Sequence, residues 1–109
     1  MFCEEIQKIT EQIRRALKPK RIYLFGSFAK GTDQDDSDYD FYVVVPDHAG
    51  TRIELSQKAY KSLRGIRKRP VDIVVGYESV FEERAEADTL EKTVRQEGIL
   101  LYQQKNEEL

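Results

Sequence analysis

One cysteine, one histidine and no tryptophan occur in 109 residues. A lone cysteine excludes an intrachain disulfide, and Cys3 with His48 cannot supply a Cys₂His₂-type zinc set. Any Ser-His-Asp or Cys-His mechanism would depend on His48 alone. That histidine sits in Pro46-Asp47-His48-Ala49-Gly50, which reads as an exposed turn. Cys3 reads as a terminal or buried small apolar residue rather than a nucleophile. Long apolar runs are missing too. The longest covers only residues 41–45, whereas a bilayer span takes roughly 20 apolar residues. Mean hydropathy is −0.64. The start, MFCEEIQKIT, has neither the basic residues nor the apolar stretch of a secretory signal. Together these absences lead to the expectation of a cytoplasmic chain away from membranes. An excess of either charge is also missing: 18 basic residues face 20 acidic ones, net −2. No global basic surplus exists to hold a polyanion by counterion release, so nucleic acid is not the expected direct ligand.

What is present is a charged, patterned chain, with 39% apolar and 35% charged residues. Its length suits one domain over residues 1–109, with 103–109 as a frayed polar tail. Ile6, Ile9, Ile13 and Leu17 recur at helical spacing and predict a helix over 4–18, stopped by Pro19. A strand over 21–25 is closed by Gly26-Ser27, and one helical turn fits just after it. Residues 31–37 read as an exposed loop. The run 39–45 is apolar on both faces after Asp40, as in a central strand covered on both sides. Thr51 with Glu54 spells a capping box before a helix carrying Leu55, Ala59, Leu63 and Ile66. Lys61, Arg64, Arg67, Lys68 and Arg69 form a basic connector. It reads either as a solvated turn or as a docking face for an acidic partner or RNA. A strand over 71–75 follows, then a second capping box at Ser79 and Glu82, a helix over 90–96 stopped by Gly98, and a last short strand over 99–102. The expected fold class is α+β: a small mixed sheet with helices packed on it.

Three features carry chemistry. Gly26-Ser27 follows the first strand, where a glycine lets the backbone approach a ligand and a helical turn would offer amides to phosphate. Asp38-Tyr39-Asp40 opens the central strand. Strand alternation puts the two carboxylates on one face and Tyr39 on the other. Asp72 is alone in an apolar strand and needs a partner. Each has an ordinary reading: a turn, a solvated cap, an ion pair of Asp72 with Arg67 or Arg69. Jointly, three hard oxygen donors on adjacent strands suit Mg²⁺ or Mn²⁺. Two such ions can hold both the attacking and the leaving oxygen of a phosphoryl transfer. A phosphate loop of the Walker A kind is excluded, because Thr32 stands where its lysine belongs.

Gly26-Ser27, Asp38-Tyr39-Asp40 and Asp72 resemble the signature of the polymerase-β-like nucleotidyltransferase superfamily. The spacing Gly-Ser-x10-Asp-x-Asp is similar to that of its minimal members, the MNT-domain antitoxins that pair with HEPN ribonuclease toxins. The likeness runs from the leading helix to Gly98-Ile99-Leu100-Leu101-Tyr102. It implies a polymerase-β palm-like fold and a single minimal nucleotidyltransferase domain. It also implies that Asp38 and Asp40 hold two Mg²⁺ ions, and that Asp72 holds the catalytic one and helps deprotonate the acceptor. Gly26, Ser27 and Lys30 would bind the nucleotide, ATP. Where relatives often have Gly-Ser-Arg-Ala-Arg-Gly, this chain has Gly26-Ser27-Phe28-Ala29-Lys30-Gly31. Lys30 keeps one of the two positive charges and Phe28 removes the other. The implied activity is AMP transfer from ATP to a hydroxyl, a tyrosine's, of a partner HEPN toxin, as a type VII-like antitoxin. The alternatives are a non-catalytic binding module that neutralises its partner by covering it, and nucleotidyl transfer to RNA or a small molecule.

Overall fold

The computed structural model describes residues 3–34 and 37–105. Asp35 and Asp36 of the expected loop, and residues 106–109 of the expected tail, lie outside the described residues. Helix α1 (Glu4–Leu17) buries the four apolar residues of its stripe. It ends as expected before Pro19, with Lys18 in a left-handed conformation (φ 50°) whose amide returns to the Arg14 carbonyl. Strand β1 (Arg21–Phe25) runs into the one-turn helix α2 (Ser27–Lys30). Strand β2 (Tyr39–Val45) is buried along its length except at half-buried Asp40, as a central strand should be. Helix α3 (Arg52–Ser62) starts on the Thr51–Glu54 capping box, and both of its reciprocal hydrogen bonds form. Strand β3 (Val71–Tyr77), helices α4 (Glu78–Arg84) and α5 (Leu90–Glu97), and strand β4 (Ile99–Gln103) complete the chain. No helix among the described residues is long and apolar enough to cross a membrane.

The sheet order is β3-β2-β1-β4, with β2 and β3 parallel and the other two pairs antiparallel. The parallel pair needs a crossover, and α3 is that crossover. Alternation along the strands sorts the core into two layers. Ile22, Leu24, Tyr39, Phe41, Val43, Val45, Val71, Ile73 and Val75 meet α1 and α3 on one face. Tyr23, Tyr42 and Val44 meet Phe81 of α4 and Val94 of α5 on the other. The outer edge of β3 is closed by side chains: the Ile73 amide donates to the Tyr60 hydroxyl at 2.8 Å, and Arg52 Nε donates to the Val75 carbonyl at 3.1 Å.

Four boundaries depart from the sequence reading. Helix α3 stops at Ser62, so Leu63 and Ile66, expected on it, lie in the turn beyond, where Gly65 takes a positive φ of 79°. The Ser79–Glu82 capping box does not form. Ser79 lies inside α4, and its amide donates to the Asp47 carboxylate at 3.0 Å, so the cap comes from a distant turn. Glu82 is drawn away by Arg21 and Arg95, at 2.6 and 2.7 Å. Strand β3 runs two residues further than expected, because Gly76 leaves room for the Tyr42 ring; a Cβ there would lie 2.3 Å from the Tyr42 hydroxyl oxygen. Strand β4 includes Gln103, and the Gln104 amide donates to the Lys20 carbonyl at 2.8 Å, so order continues into the first residues of the expected tail. His48 is exposed in its turn, as expected, and Cys3 is exposed just before α1 rather than buried.

Helix α5 carries Glu91, the one buried charged side chain among the described residues. Its carboxylate accepts from the Tyr42 hydroxyl at 2.7 Å and from Arg84 Nε at 2.9 Å. Burial works to raise its pKa, but these two donors outweigh it and hold the group below the ordinary 4.5. A carboxylate whose pKa is lower in the folded chain stabilises at neutral pH, and that contribution is lost as pH falls through the folded value. Glu91→Gln should therefore cost about 1–3 kcal/mol at pH 7, since a buried charged partner is lost. The gap to wild type should narrow in urea titrations taken below pH 4.5. A gap of constant size would show that the charge of Glu91 contributes nothing.

Candidate active site

The site lies at the N-terminal ends of the parallel pair. Asp40 and Asp72 are direct partners in the β2–β3 register, and Phe25 is the partner of Asp40 on β1. Both carboxylates share the face that carries Tyr42 and Val74, where α4 and α5 cover the far end of the strands. Asp72 is exposed, while Asp38 and Asp40 are half-buried. Burial, then the charges of Asp72 and Asp38, raise the pKa of Asp40 above its ordinary 3.8, and a hydrogen bond with Asp72 adds to this. The three sequence-selected aspartates thus interact electrostatically. Among the described residues, however, no set of three His, Cys, Asp or Glu side chains is gathered closely enough to hold a metal ion. Asp40 and Asp72 are paired by the sheet, and Asp38 stands on the segment leading into β2, where its charge still acts on Asp40.

Gly26 stands against this pair. Its φ of 76° and ψ of −153° belong to glycine, and a Cβ built there would lie 2.3 Å from Asp40 Oδ2. The backbone at the start of α2 therefore touches the carboxylate directly. The amides of Ser27 and Phe28 open the helix, ahead of the first residues bonded within it. Gly26→Ala should combine backbone strain with this clash. It should lower stability by about 1–3 kcal/mol, by the usual scale for strain and overpacking, and displace Asp40; a thermal melt beside an activity assay would test both. A melt within a degree of wild type would mean the approach is looser than drawn.

Lys30, the other expected nucleotide contact, closes α2. Its Nζ is 3.6 Å from Glu97 Oε1 in a largely exposed pair. Such a pair is worth little and leaves Lys30 available to a stronger anion. Phe28 has a packing role: its ring lies 4.7 Å from that of Tyr39. Arg69 covers both rings at 5.2 and 5.3 Å and donates to the Ser37 carbonyl at 2.9 Å. Arg67 is exposed and makes no ion pair among the described residues.

Sequence reasoning missed a clamp beneath the site. The Tyr39 hydroxyl donates to Glu5 at 2.8 Å, and Glu5 also accepts from the Lys68 amide. Burial opposes the charge on Glu5, but the Lys68 amide, the Tyr39 hydroxyl and the Arg69 and Lys68 charges hold its pKa down. The Tyr39 amide donates to the Pro70 carbonyl at 3.0 Å. Helix α1, the β2 start and the β3 start are thus tied at one point. The partners are more than 30 positions apart, so no local pattern could have announced them.

A mixed sheet with a Gly-Ser turn against paired strand carboxylates is the architecture of a nucleotidyl-transfer fold. The polymerase beta, nucleotidyltransferase family matches residues 7–107, and the chain belongs to that family. Among solved structures it is similar to a chain of a toxin–antitoxin crystallised with AMP-PNP, at 29% identity and TM-score 0.61, covering 94% of this chain and 76% of that one. It is similar as well to a chain in a mutant of the toxin–antitoxin MntA-HpeT, at 28% identity and TM-score 0.57, with 94% and 76% covered. In that mutant two aspartates, two positions apart, are changed to glutamate. A Sulfolobus solfataricus protein at 20% identity and TM-score 0.62, with 92% and 78% covered, shares the fold. No curated protein matches significantly.

Proposed function

We propose that this chain, as a single minimal domain, transfers AMP from ATP to a tyrosine hydroxyl of a HEPN-domain toxin in the cytoplasm and so neutralises it. The observation that carries the reading is Asp40, registered with Asp72, pressed against Gly26. Its setting is a chain of the nucleotidyltransferase family, similar to one crystallised in a toxin–antitoxin with an ATP analogue. The donor set fits hard divalent cations: oxygen ligands only, with burial and then the charges of Asp72 and Asp38 raising the Asp40 pKa. Asp38, Asp40 and Asp72 would hold Mg²⁺, two ions by family likeness, with Mn²⁺ as a substitute; bound there, the metal offsets phosphate charge during transfer.

The chain's own residues do the rest. Gly26, with no side chain, and the first amides of α2 orient the outer phosphates, and Lys30 can turn from Glu97 to join them. Asp72, the exposed member, accepts the proton of the attacking hydroxyl. The bond from acceptor oxygen to the α-phosphorus forms, the α–β bridging bond breaks, and pyrophosphate leaves.

The alternative reading is a module that neutralises the toxin by covering it. Purified protein should be incubated with each labelled nucleoside triphosphate, Mg²⁺ and lysate of its source cells, with Asp38→Asn alongside. Label moving from ATP onto one protein band, with wild type only, is the expected result. Label on RNA or a small molecule would replace the acceptor. No transfer, with a partner still co-purifying, would favour the covering module.

A further inference from the structure

Residues 58–69 hold Lys58, Lys61, Arg64, Arg67, Lys68 and Arg69 and no acidic residue, so six of the chain's 18 basic residues stand together against none of its 20 acidic ones. The remainder of the chain is strongly acidic. Elsewhere six of the twelve cations form ion pairs: Arg14 and Arg15 with Glu11, Arg21 and Arg95 with Glu82, Lys30 with Glu97, Arg84 with Glu91. In the strip, the side chains of Lys58, Lys61, Arg64 and Arg67 are exposed and make no ion pair or hydrogen bond among the described residues. Cations at a helix C-terminus interact well with the helix dipole, which accounts for Lys61 at the end of α3. It does not account for the residues beyond the helix, nor for the missing acids.

The strip is a built surface rather than a loose tail. Leu63 is fully buried and Ile66 packs on the same core. Gly65 takes a φ of 79° to make the turn between them. The Ile66 amide bonds to the Leu63 carbonyl at 3.2 Å. Its last residues are fastened by the Lys68 amide on Glu5 and by Arg69 over Phe28 and Tyr39. The cations are thereby held outward on a fixed scaffold whose last residue, Arg69, is three positions before exposed Asp72.

From this placement we infer that the strip 58–68 is the docking face for an acidic patch on the protein that accepts the nucleotidyl group. The inference rests on the reading above that this chain acts on a protein partner. Phosphate chains fit less well. A continuous polyanion running along the strip to the transfer site would next meet Asp38, Asp40 and Asp72, whereas a folded protein's acidic patch can end where the strip ends. The strip supplies steering and orientation, bringing an acceptor hydroxyl to Asp72 from one side.

The test reverses three exposed charges, Lys61→Glu, Arg64→Glu and Arg67→Glu, and measures association with the purified partner from the labelling experiment. Exposed charges at an interface act chiefly on the association rate and its salt dependence. The association rate constant should fall at least about tenfold at ~50 mM salt and converge on wild type near ~500 mM, as screening removes the steering. The KM for ATP should stay within about twofold of wild type, since the three reversed side chains make no ion pair or hydrogen bond with α2 among the described residues. If the reversal variant melts early, Lys61→Gln, Arg64→Gln and Arg67→Gln should show a smaller loss of the same kind. An unchanged association rate overturns the inference. So does a KM for ATP that rises with the loss, which would make the strip part of the nucleotide site. Loss of binding to a labelled 20-nucleotide RNA, with partner association intact, overturns it in favour of RNA. Failure of the functional reading is separable: Asp72→Asn that binds the partner and protects cells removes the transfer reaction but leaves the docking face standing.

Discussion

Asp40→Asn should lower the proposed nucleotidyl transfer by at least about 10³-fold, while the chain should fold as before and melt at the same temperature or higher. Two opposite consequences of one geometry lie behind this. Asp40 is half-buried, is registered with Asp72 and feels Asp38, so its negative charge is held against burial and like charge. Asparagine keeps the shape and removes the repulsion, which favours the fold. It also removes a hard anionic oxygen where transfer needs one, and the loss of a ligand or a positioned charged group at such a centre commonly costs several kcal/mol of barrier. The measurement is a pair: initial rates with labelled ATP at saturating Mg²⁺, and a thermal melt in chelator. Full activity would end the assignment of Asp40. A marked fall in the melting temperature of the metal-free variant would instead show that the carboxylate is held by favourable partners and that the cluster is not repulsive. Asp72→Asn should lose transfer to the same degree with even less effect on the melt, because Asp72 is exposed.

Phe81→Ala should cost about 3–5 kcal/mol, the usual range for emptying a buried aromatic site. That is a large part of the 5–15 kcal/mol that holds typical domains folded. Phe81 is fully buried and is the only residue of α4 in the second core layer. Its ring lies 5.7 Å from Tyr23 and 5.2 Å from Tyr42, with the Arg21 guanidinium 5.1 Å away. Small groups cannot fill that space, since Tyr42 is fixed through its hydroxyl to Glu91. Urea unfolding at neutral pH is the measurement, and a shift under 1 kcal/mol would mean that α4 closes over the gap. Phe81→Leu should lose less than half as much, which separates volume from mere disturbance of the helix.

The contrast between these residues explains what the sequence could reveal. Ile6, Ile9, Ile13 and Leu17 lie on one helix and announce it by spacing alone, and the Thr51–Glu54 box is likewise complete within four residues. The run into β2 is apolar because both its faces are covered, and that too is written locally. The aspartates could be selected because charge in an apolar strand is conspicuous. Their pairing, Asp40 beside Asp72, follows from a register set by the whole sheet. The aromatic layer of Tyr23, Tyr42 and Phe81 joins three elements. Glu91 meets Tyr42 from 49 positions away. The α4 cap failed as a local prediction for the same reason: Ser79 and Glu82 have the right types at the right spacing, but Asp47 and Arg21 compete for them from elsewhere in the fold. Phe28 illustrates the converse. Its departure from the family pattern reads as a lost charge in the sequence, whereas in the fold it is the ring on which Arg69 rests.

The closure of β3 by Tyr60 and Arg52 bears on how copies of this chain can meet. A sheet able to accept a new strand on both sides can polymerise without limit, each copy templating the next. Here one side already has its amide and carbonyl satisfied from within the same molecule, so growth in that direction would first have to strip away Tyr60 and Arg52. Any sheet-to-sheet joining is confined to the β4 side, and two molecules joined there present only closed sides outward. Association through the sheet is therefore disfavoured on the β3 side by two side chains of α3, and one of them, Tyr60, is bonded to the residue next to Asp72.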